Sequence, residues 1–111
     1  KWISQAYYAT DEYIKGNKDA MNRTLKALFQ GVRFIVESPR EAATIASKTL
    51  QWPEEAILRA QSISGPLLSK DGVLNVEAIE TMQTTLLEYK IQDKRVPTAD
   101  LYTAEFTPVR M

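Results

Sequence analysis

The residues of this chain best suited to chemistry are two pairs of adjacent carboxylates, Asp11-Glu12 and Glu54-Glu55. A carboxylate pair could exchange protons with a substrate or hold a metal ion. Both pairs stand where a helix is predicted to begin, and acidic side chains there stabilise the free N–H groups and the positive end of the helix dipole. Adjacent residues also point to different sides of a helix. We therefore interpret both pairs as helix-start residues, and we predict no catalytic residues and no metal site.

Histidine and cysteine are both missing from the sequence. Their absence removes the Ser-His and Cys-His nucleophile pairs, the commonest general base and most zinc sites. The sequence also has no glycine-rich loop of the kind that holds phosphates. We therefore predict that the protein is not an enzyme and that it uses no cofactor.

The charges of the chain are balanced, with 14 Lys and Arg against 14 Asp and Glu. Such a balance gives no overall field that would draw the protein to nucleic acid. Lys94-Arg95 and Arg40 could form a basic patch, but no aromatic residues are interleaved with them. We interpret these cations as solvated surface and predict no nucleic-acid partner. No apolar run approaches the roughly 20 residues that a membrane-spanning helix needs.

A long amphipathic helix, predicted from Asp19 to Glu37, is the element that must position the other parts of the chain. Its apolar residues recur at alternating spacings of four and three, as on one face of a helix. They are Met21, Leu25, Leu28, Val32 and Ile35, with Phe29 and Val36 widening the stripe. The spacing also fits a coiled coil, but it lasts for only about two heptads. We therefore predict a core stripe that packs against a sheet or neighbouring helices, with Gly31 at a point of close packing.

Shorter elements are predicted on both sides of this helix. In chain order they are a strand (Gln5–Ala9), a helical turn (Asp11–Lys15), and helices from Pro39 to about Thr49, from Pro53 to Gly65 and from Asn75 to about Tyr89. The predicted N-caps are Thr10, Ser38 and Asn75.

Side-chain pairing and burial are predicted for the same elements. Glu41 should complete a capping box with Ser38, and Glu55 should pair with Arg59 one turn on. The helix after Ser38 should bury Ala42, Ile45, Ala46 and Leu50, and the next one Ala56, Ile57, Ala60 and Ile63. Between the last two helices, the turn Ser69–Gly72 should place Gly72 at positive φ.

The predicted strand has no partner strand anywhere in the sequence, so its N–H and C=O groups have nothing to pair with. We therefore expect a mainly α chain, in which four helices are preceded by one short strand. Residues 1–111 form a single segment that looks like part of a larger α/β domain. The tail from Gln92 should pack down, because it carries Leu101, Tyr102 and Phe106.

Three stretches of the sequence form an ordered series. They are ATDEYIKGNKDAMNRTLKALFQGVRFIVESPREAA (9–43), SGPLLSKDGVLNVEAIETM (64–82) and VPTADLYTAEF (96–106). Their order and spacing resemble the C-terminal part of ABC-importer solute-binding proteins in the nitrate, sulfonate and taurine group, a pattern that related pyrimidine-precursor binders share. The sequence departs from the family where Trp52 replaces a common N-cap Asp and Asn17-Lys18-Asp19 replaces Asn-Pro-Glu.

This resemblance implies a type II periplasmic-binding-protein fold with two α/β lobes, of which the chain would be the last third. In the family, this part adds a strand to the first lobe's sheet and then covers the sheet with helices. The intact protein would capture a small solute (a sulfonate, taurine, nitrate or a pyrimidine precursor) and deliver it to an ABC permease. The resemblance implies a periplasmic location or a lipid anchor at the cell surface.

Trp2, Ser4 and Gln5 lie where the resemblance places the crossover between lobes, beside the ligand cleft. Their side chains could stack against a small solute or form hydrogen bonds to it. Packing at a hinge is the simpler interpretation, and most ligand contacts would come from residues upstream of this chain.

A second hypothesis is a stand-alone helical interaction module that docks a partner on the apolar stripe. If the sheet-facing surface is missing its partner, the chain should self-associate through the Gln5–Ala9 edge, the apolar stripe or both.

Overall fold

The computed structural model describes residues 1–111 and contains five α-helices, two 3₁₀ turns and no β-strand. The helices are α1 (Asp11–Gly16), α2 (Lys18–Glu37), α3 (Pro39–Leu50), α4 (Glu54–Ser64) and α5 (Val76–Glu88), and the 3₁₀ turns are Gly65–Leu67 and Thr98–Asp100. The mainly helical class is therefore confirmed, and the helix bounds lie within about two residues of the predicted ones, as is usual at helix ends.

The predicted strand Gln5–Ala9 is wrong. Residues 1–9 belong to no helix or strand, and no backbone–backbone hydrogen bond joins them to the rest of the protein. The Tyr7 ring meets the Phe29 ring of α2 edge-on, with centroids 6.0 Å apart. At the start of the segment, Lys1 Nζ lies 3.2 Å from Glu77 Oε2 of α5. The segment cannot form a ladder because the chain offers no second strand.

Two of the three predicted N-caps are confirmed. Thr10 Oγ1 accepts a hydrogen bond from the Tyr13 N–H at 3.2 Å, and Asn75 Oδ1 accepts one from the Ala78 N–H at 2.9 Å. The predicted capping box at Ser38 is wrong, because that side chain makes no capping hydrogen bond. Only this residue separates α2 from α3, and its N–H donates to the Phe34 carbonyl at 2.8 Å. Ser38 therefore completes the end of α2 and lacks the extended backbone of an N-cap.

The predicted ion pair between Glu55 and Arg59 is also wrong, since these side chains form no ion pair in the structure. The ion pair between residues four apart lies on α2, where Arg23 Nε is 3.0 Å from Asp19 Oδ2. Both of its side chains are largely exposed, so it contributes little to stability.

The two glycines that received predictions differ in outcome. Gly72 has φ of +77°, as predicted, and a Cβ built there would lie 2.8 Å from Phe29 Cζ. The prediction of close packing at Gly31 is wrong within this chain, because a Cβ there would meet no atom within 4 Å. The close approach to α2 is therefore made by the Gly72 turn and not by Gly31.

Helices α3 and α4 pack against each other, and α2 packs against α3. Small residues make the contact close: Ala42 and Ala43 of α3 are buried, as is Ile57 of α4. The predicted burial is wrong for the larger side chains, since Ile45 and Leu50 of α3 are more than half exposed. A large part of the apolar surface of this helix pair is therefore uncovered.

Helix α5 buries Ala78, Ile79 and Gln83, and the C-terminal segment buries Phe106 and Val109. The Val109 N–H donates to the Asp71 carbonyl at 2.8 Å, which fixes the tail beside the Gly72 turn. The prediction that the tail packs down is confirmed.

The folded chain is a flat slab that measures 44 × 37 × 21 Å. Since a helix with its side chains is about 10–12 Å across, the short dimension has room for two helical layers. The radius of gyration is 16.6 Å, against about 13 Å for a compact domain of this length. Only nine residues are buried. None of the helices combines the length and the apolar character that crossing a membrane requires.

Candidate functional site

The three residues predicted to touch a solute lie before α1, in the segment that belongs to no helix or strand. Trp2, Ser4 and Gln5 are all exposed, and their side chains make no hydrogen bond. They line neither the groove beside the C-terminal segment nor the hollow on α4. Their side chains are free to meet a ligand or another part of a larger protein, and they do not form a site by themselves.

The carboxylate pairs lie where the sequence places them. Asp11-Glu12 occupies the first turn of α1, and Glu54-Glu55 occupies the first turn of α4. No group of three or more acidic residues is arranged so that it could hold a metal ion.

Of the three cations interpreted as surface, Arg95 is the one whose side chain bonds other residues. Its Nη1 lies 2.5 Å from Glu80 Oε2, and its Nη2 donates to Thr84 Oγ1 at 2.7 Å. Arg40 and Lys94 are exposed and form no ion pair. Arg95 is exposed as well, as the interpretation as solvated surface predicts, and its ion pair also ties the loop after α5 back onto that helix.

Gln83 of α5 extends this network into the interior. The side chain is only 3% exposed. Its Oε1 accepts the Val96 N–H at 2.8 Å, and its Nε2 donates to Thr98 Oγ1 at 3.4 Å. The Thr98 hydroxyl in turn donates to Glu80. Since Gln83, Thr98 and Arg95 each bond other residues of the protein, the cluster fixes the loop.

A groove of about 440 Å³ lies between α2 and the C-terminal segment 105–110. Leu25 and Phe106 supply apolar lining, and Lys26 and Arg110 are cations that form no ion pair. Sequence reasoning could not find this groove, because its two walls are far apart along the chain. Its volume suits a small molecule.

The other charges of the groove are already neutralised. Arg23 pairs with Asp19, and Glu105 pairs with Lys18 across the gap between α2 and the tail. The lining includes no buried polar side chain, which a specific pocket would use to fix a ligand's orientation. The groove can accept a small amphipathic anion, but it contains no group that would select one.

The most extensive candidate surface is apolar. Eighteen large apolar side chains are exposed, among them Tyr8 at 97%, Ile63 at 70% and Trp52 at 62%. A folded monomer of this mass exposes about 6,200 Å², whereas this chain exposes 8,624 Å². Single exposed apolar residues are ordinary, so the number of these side chains and the excess of exposed area distinguish this surface.

A shallow apolar hollow on α4 is part of this surface. It is lined by Ala56, Ala60 and Ile63, with Glu55 and Arg59 at its sides. Ala56, Ala60 and Ile63 were predicted to be buried, and the structure leaves all three exposed. Among the four residues of the predicted stripe only Ile57 is buried, so α4 turns one apolar side towards α3 and leaves another open.

Comparison of the chain with protein-family models, with curated proteins and with solved structures found no match.

Proposed function

We propose that the chain is the C-terminal segment of a solute-binding protein that serves an ABC importer, in the nitrate, sulfonate and taurine group. The single observation that carries the proposal is the excess of roughly 2,400 Å² of exposed surface over that of a compact monomer. A segment that covers the sheet of a larger lobe would expose such a surface when it stands alone. The ordered series of sequence motifs indicates which larger protein this is.

The slab shape supports the same proposal. An α/β domain has helices on both faces of a sheet, and its layers pack about 10 Å apart. A slab 21 Å thick has room for helices but contains no sheet. The open side chains of α3 and α4, including Ile45 and Ile63, are suited to the missing layer.

In the intact protein, two lobes would close around a small solute and stay closed while it is bound. This mechanism is ligand-stabilised hinge closure and involves no covalent chemistry. The segment would supply helices that stiffen one lobe. Trp2, Ser4 and Gln5 would lie at the crossover, where their exposed side chains are available to contact the solute or the hinge.

The proposed function implies a location and a partner for the intact protein. A solute-binding protein of this group works in the periplasm or on a lipid anchor at the cell surface, and its partner is an ABC permease. The solute would be a sulfonate, taurine, nitrate or a pyrimidine precursor.

The test is calorimetric titration of the intact protein, expressed from its complete reading frame, with taurine, an alkanesulfonate, nitrate and a pyrimidine precursor. We expect saturable binding of one of these solutes by the intact protein. The 111-residue chain is the control and should bind weakly or not at all. A reading frame without two α/β lobes upstream, or tight binding of a sulfonate by the short chain alone, would overturn the proposal.

A second candidate function is a stand-alone helical interaction module. The observation that favours it is the same exposed apolar surface, which could receive an amphipathic helix of a partner. The upstream reading frame separates the two candidates, because the module requires no lobes there.

A further inference from the structure

We propose that the groove between α2 and the C-terminal segment 105–110 binds a small amphipathic carboxylate, such as a medium-chain fatty acid. The carboxylate end would meet the cations Lys26 and Arg110, and the hydrocarbon chain would lie along the apolar lining. The inference concerns the groove of this chain alone and does not rest on the proposed transport function.

The two walls of the groove are joined by contacts that lie far apart along α2. Near the start of this helix, Lys18 forms an ion pair with Glu105 of the tail. Near its end, Arg33 Nη2 donates to the Val109 carbonyl at 3.4 Å. The tail therefore runs beside α2 in the same direction, and the groove of about 440 Å³ between them is already formed in the single chain.

The lining of the groove carries more positive than negative charge. Its cations are Arg23, Lys26 and Arg110, and its one carboxylate is Glu105. Arg23 and Glu105 are each paired within the chain, whereas Lys26 and Arg110 form no ion pair. An anion therefore complements the charge of the groove, and a cation does not.

The apolar part of the lining suits a hydrocarbon chain. It consists of Leu25, which is half-buried, and of Phe106 and Val109, which are buried. A chain that lies on these side chains leaves water together with the edges that they still expose. The requirement for one negative end and one apolar end is what defines an amphipathic anion.

The groove recognises this class of ligand and does not distinguish its members. Its lining contains no buried polar side chain that would fix the orientation of one compound. The binding cations Lys26 and Arg110 are exposed to solvent, so each ion pair strengthens binding by about fivefold at most. We therefore expect dissociation constants in about the millimolar range.

The test is a titration of the isotope-labelled 111-residue chain with octanoate, followed by the chemical shifts of its backbone amides. The chain concentration is one at which light scattering shows a monomer. The amides of residues 22–26 and of the tail should shift saturably. Octylammonium has the same hydrocarbon chain and the opposite charge, so it should bind there at least about fivefold more weakly.

A pair of double variants separates the groove from the other exposed apolar surfaces. Lys26→Gln with Arg110→Gln removes both unpaired cations of the groove, and octanoate binding should weaken about fivefold. The matched control is Arg40→Gln with Lys48→Gln, which removes two exposed cations of α3. It changes the net charge by the same amount, and it should weaken binding by less than about twofold.

Three results would overturn the proposal. They are an absence of saturable shifts in the groove, equal binding of octanoate and octylammonium there, and equal weakening by the two double variants. Shifts confined to the hollow on α4 count as the first of these. The proposed transport function is tested on solute binding by the intact protein, which these titrations do not measure, so the two proposals fail independently.

Discussion

Gly72 holds the tail against α2 through its backbone shape. Its φ of +77° suits glycine, and the ring of Phe29 fills the space where a Cβ would stand. We expect Gly72→Ala to lower the free energy of unfolding by about 2–3 kcal/mol, because it adds both backbone strain and a clash. Urea unfolding followed by circular dichroism, at one fixed chain concentration, measures the change.

The control for this substitution is Gly31→Ala. Gly31 lies inside α2 with open space beside it. Alanine there should raise the stability by about 0.5–1 kcal/mol, because glycine is a poor residue for a helix interior. Equal effects of the two substitutions would show that the Gly72 turn is not tightly packed.

Single residues were predictable from the sequence where their partners are local. Thr10 and Asn75 cap helices through N–H groups three residues away, and both caps are present. Arg95 was not predictable, because its partners Glu80 and Thr84 lie a full loop earlier in the chain. Sequence patterns identify neighbours on one helix, but they contain no information about where a loop folds back.

Gln83 joins helix α5 to the loop that follows it. The buried amide bonds the Val96 N–H and the Thr98 hydroxyl. We expect Gln83→Leu to cost about 1–3 kcal/mol of unfolding free energy, because it leaves the half-buried Val96 N–H without a partner. Thermal unfolding by calorimetry provides the measurement.

Gln30→Leu is the matched substitution on an exposed face of α2. It should change the stability by less than about 0.5 kcal/mol. If Gln83→Leu changed the unfolding free energy as little as Gln30→Leu, the network on α5 would contribute nothing to stability.

The helices themselves were predictable, and the strand was not. Apolar periodicity, Pro39 at the start of α3 and the Gly72 turn locate the helices, because helix hydrogen bonds are local. The Gln5–Ala9 stretch has strand composition, yet a strand exists only when another strand pairs with it. Composition alone therefore predicted a strand that the structure does not contain.

Burial was the hardest property to predict. Ile45, Leu50 and Ile63 follow the pattern of core residues, and the structure leaves all three more than half exposed. Periodicity shows which side of a helix is apolar, but it does not show whether the chain contains the surface that covers it. A binding site could not be read from residue types either, since Trp2, Ser4 and Gln5 are exposed and make no side-chain hydrogen bond.

The whole molecule is a flat slab which, on our proposal, covers a layer outside these residues. The radius of gyration and the exposed area both exceed the values of a compact monomer. A larger protein that includes the chain should therefore cover both the apolar surface and the open backbone of residues 3–9.

Amide hydrogen exchange at residues 3–9 tests whether a larger protein covers this part of the chain. It should be measured in the intact protein and in the 111-residue chain, diluted until light scattering shows a monomer. In the dilute chain these amides should exchange at nearly the unprotected rate, because they form no backbone hydrogen bond. In the intact protein we expect exchange slower by at least about 100-fold, as for a strand inside a sheet. Equally fast exchange in both samples would contradict the account.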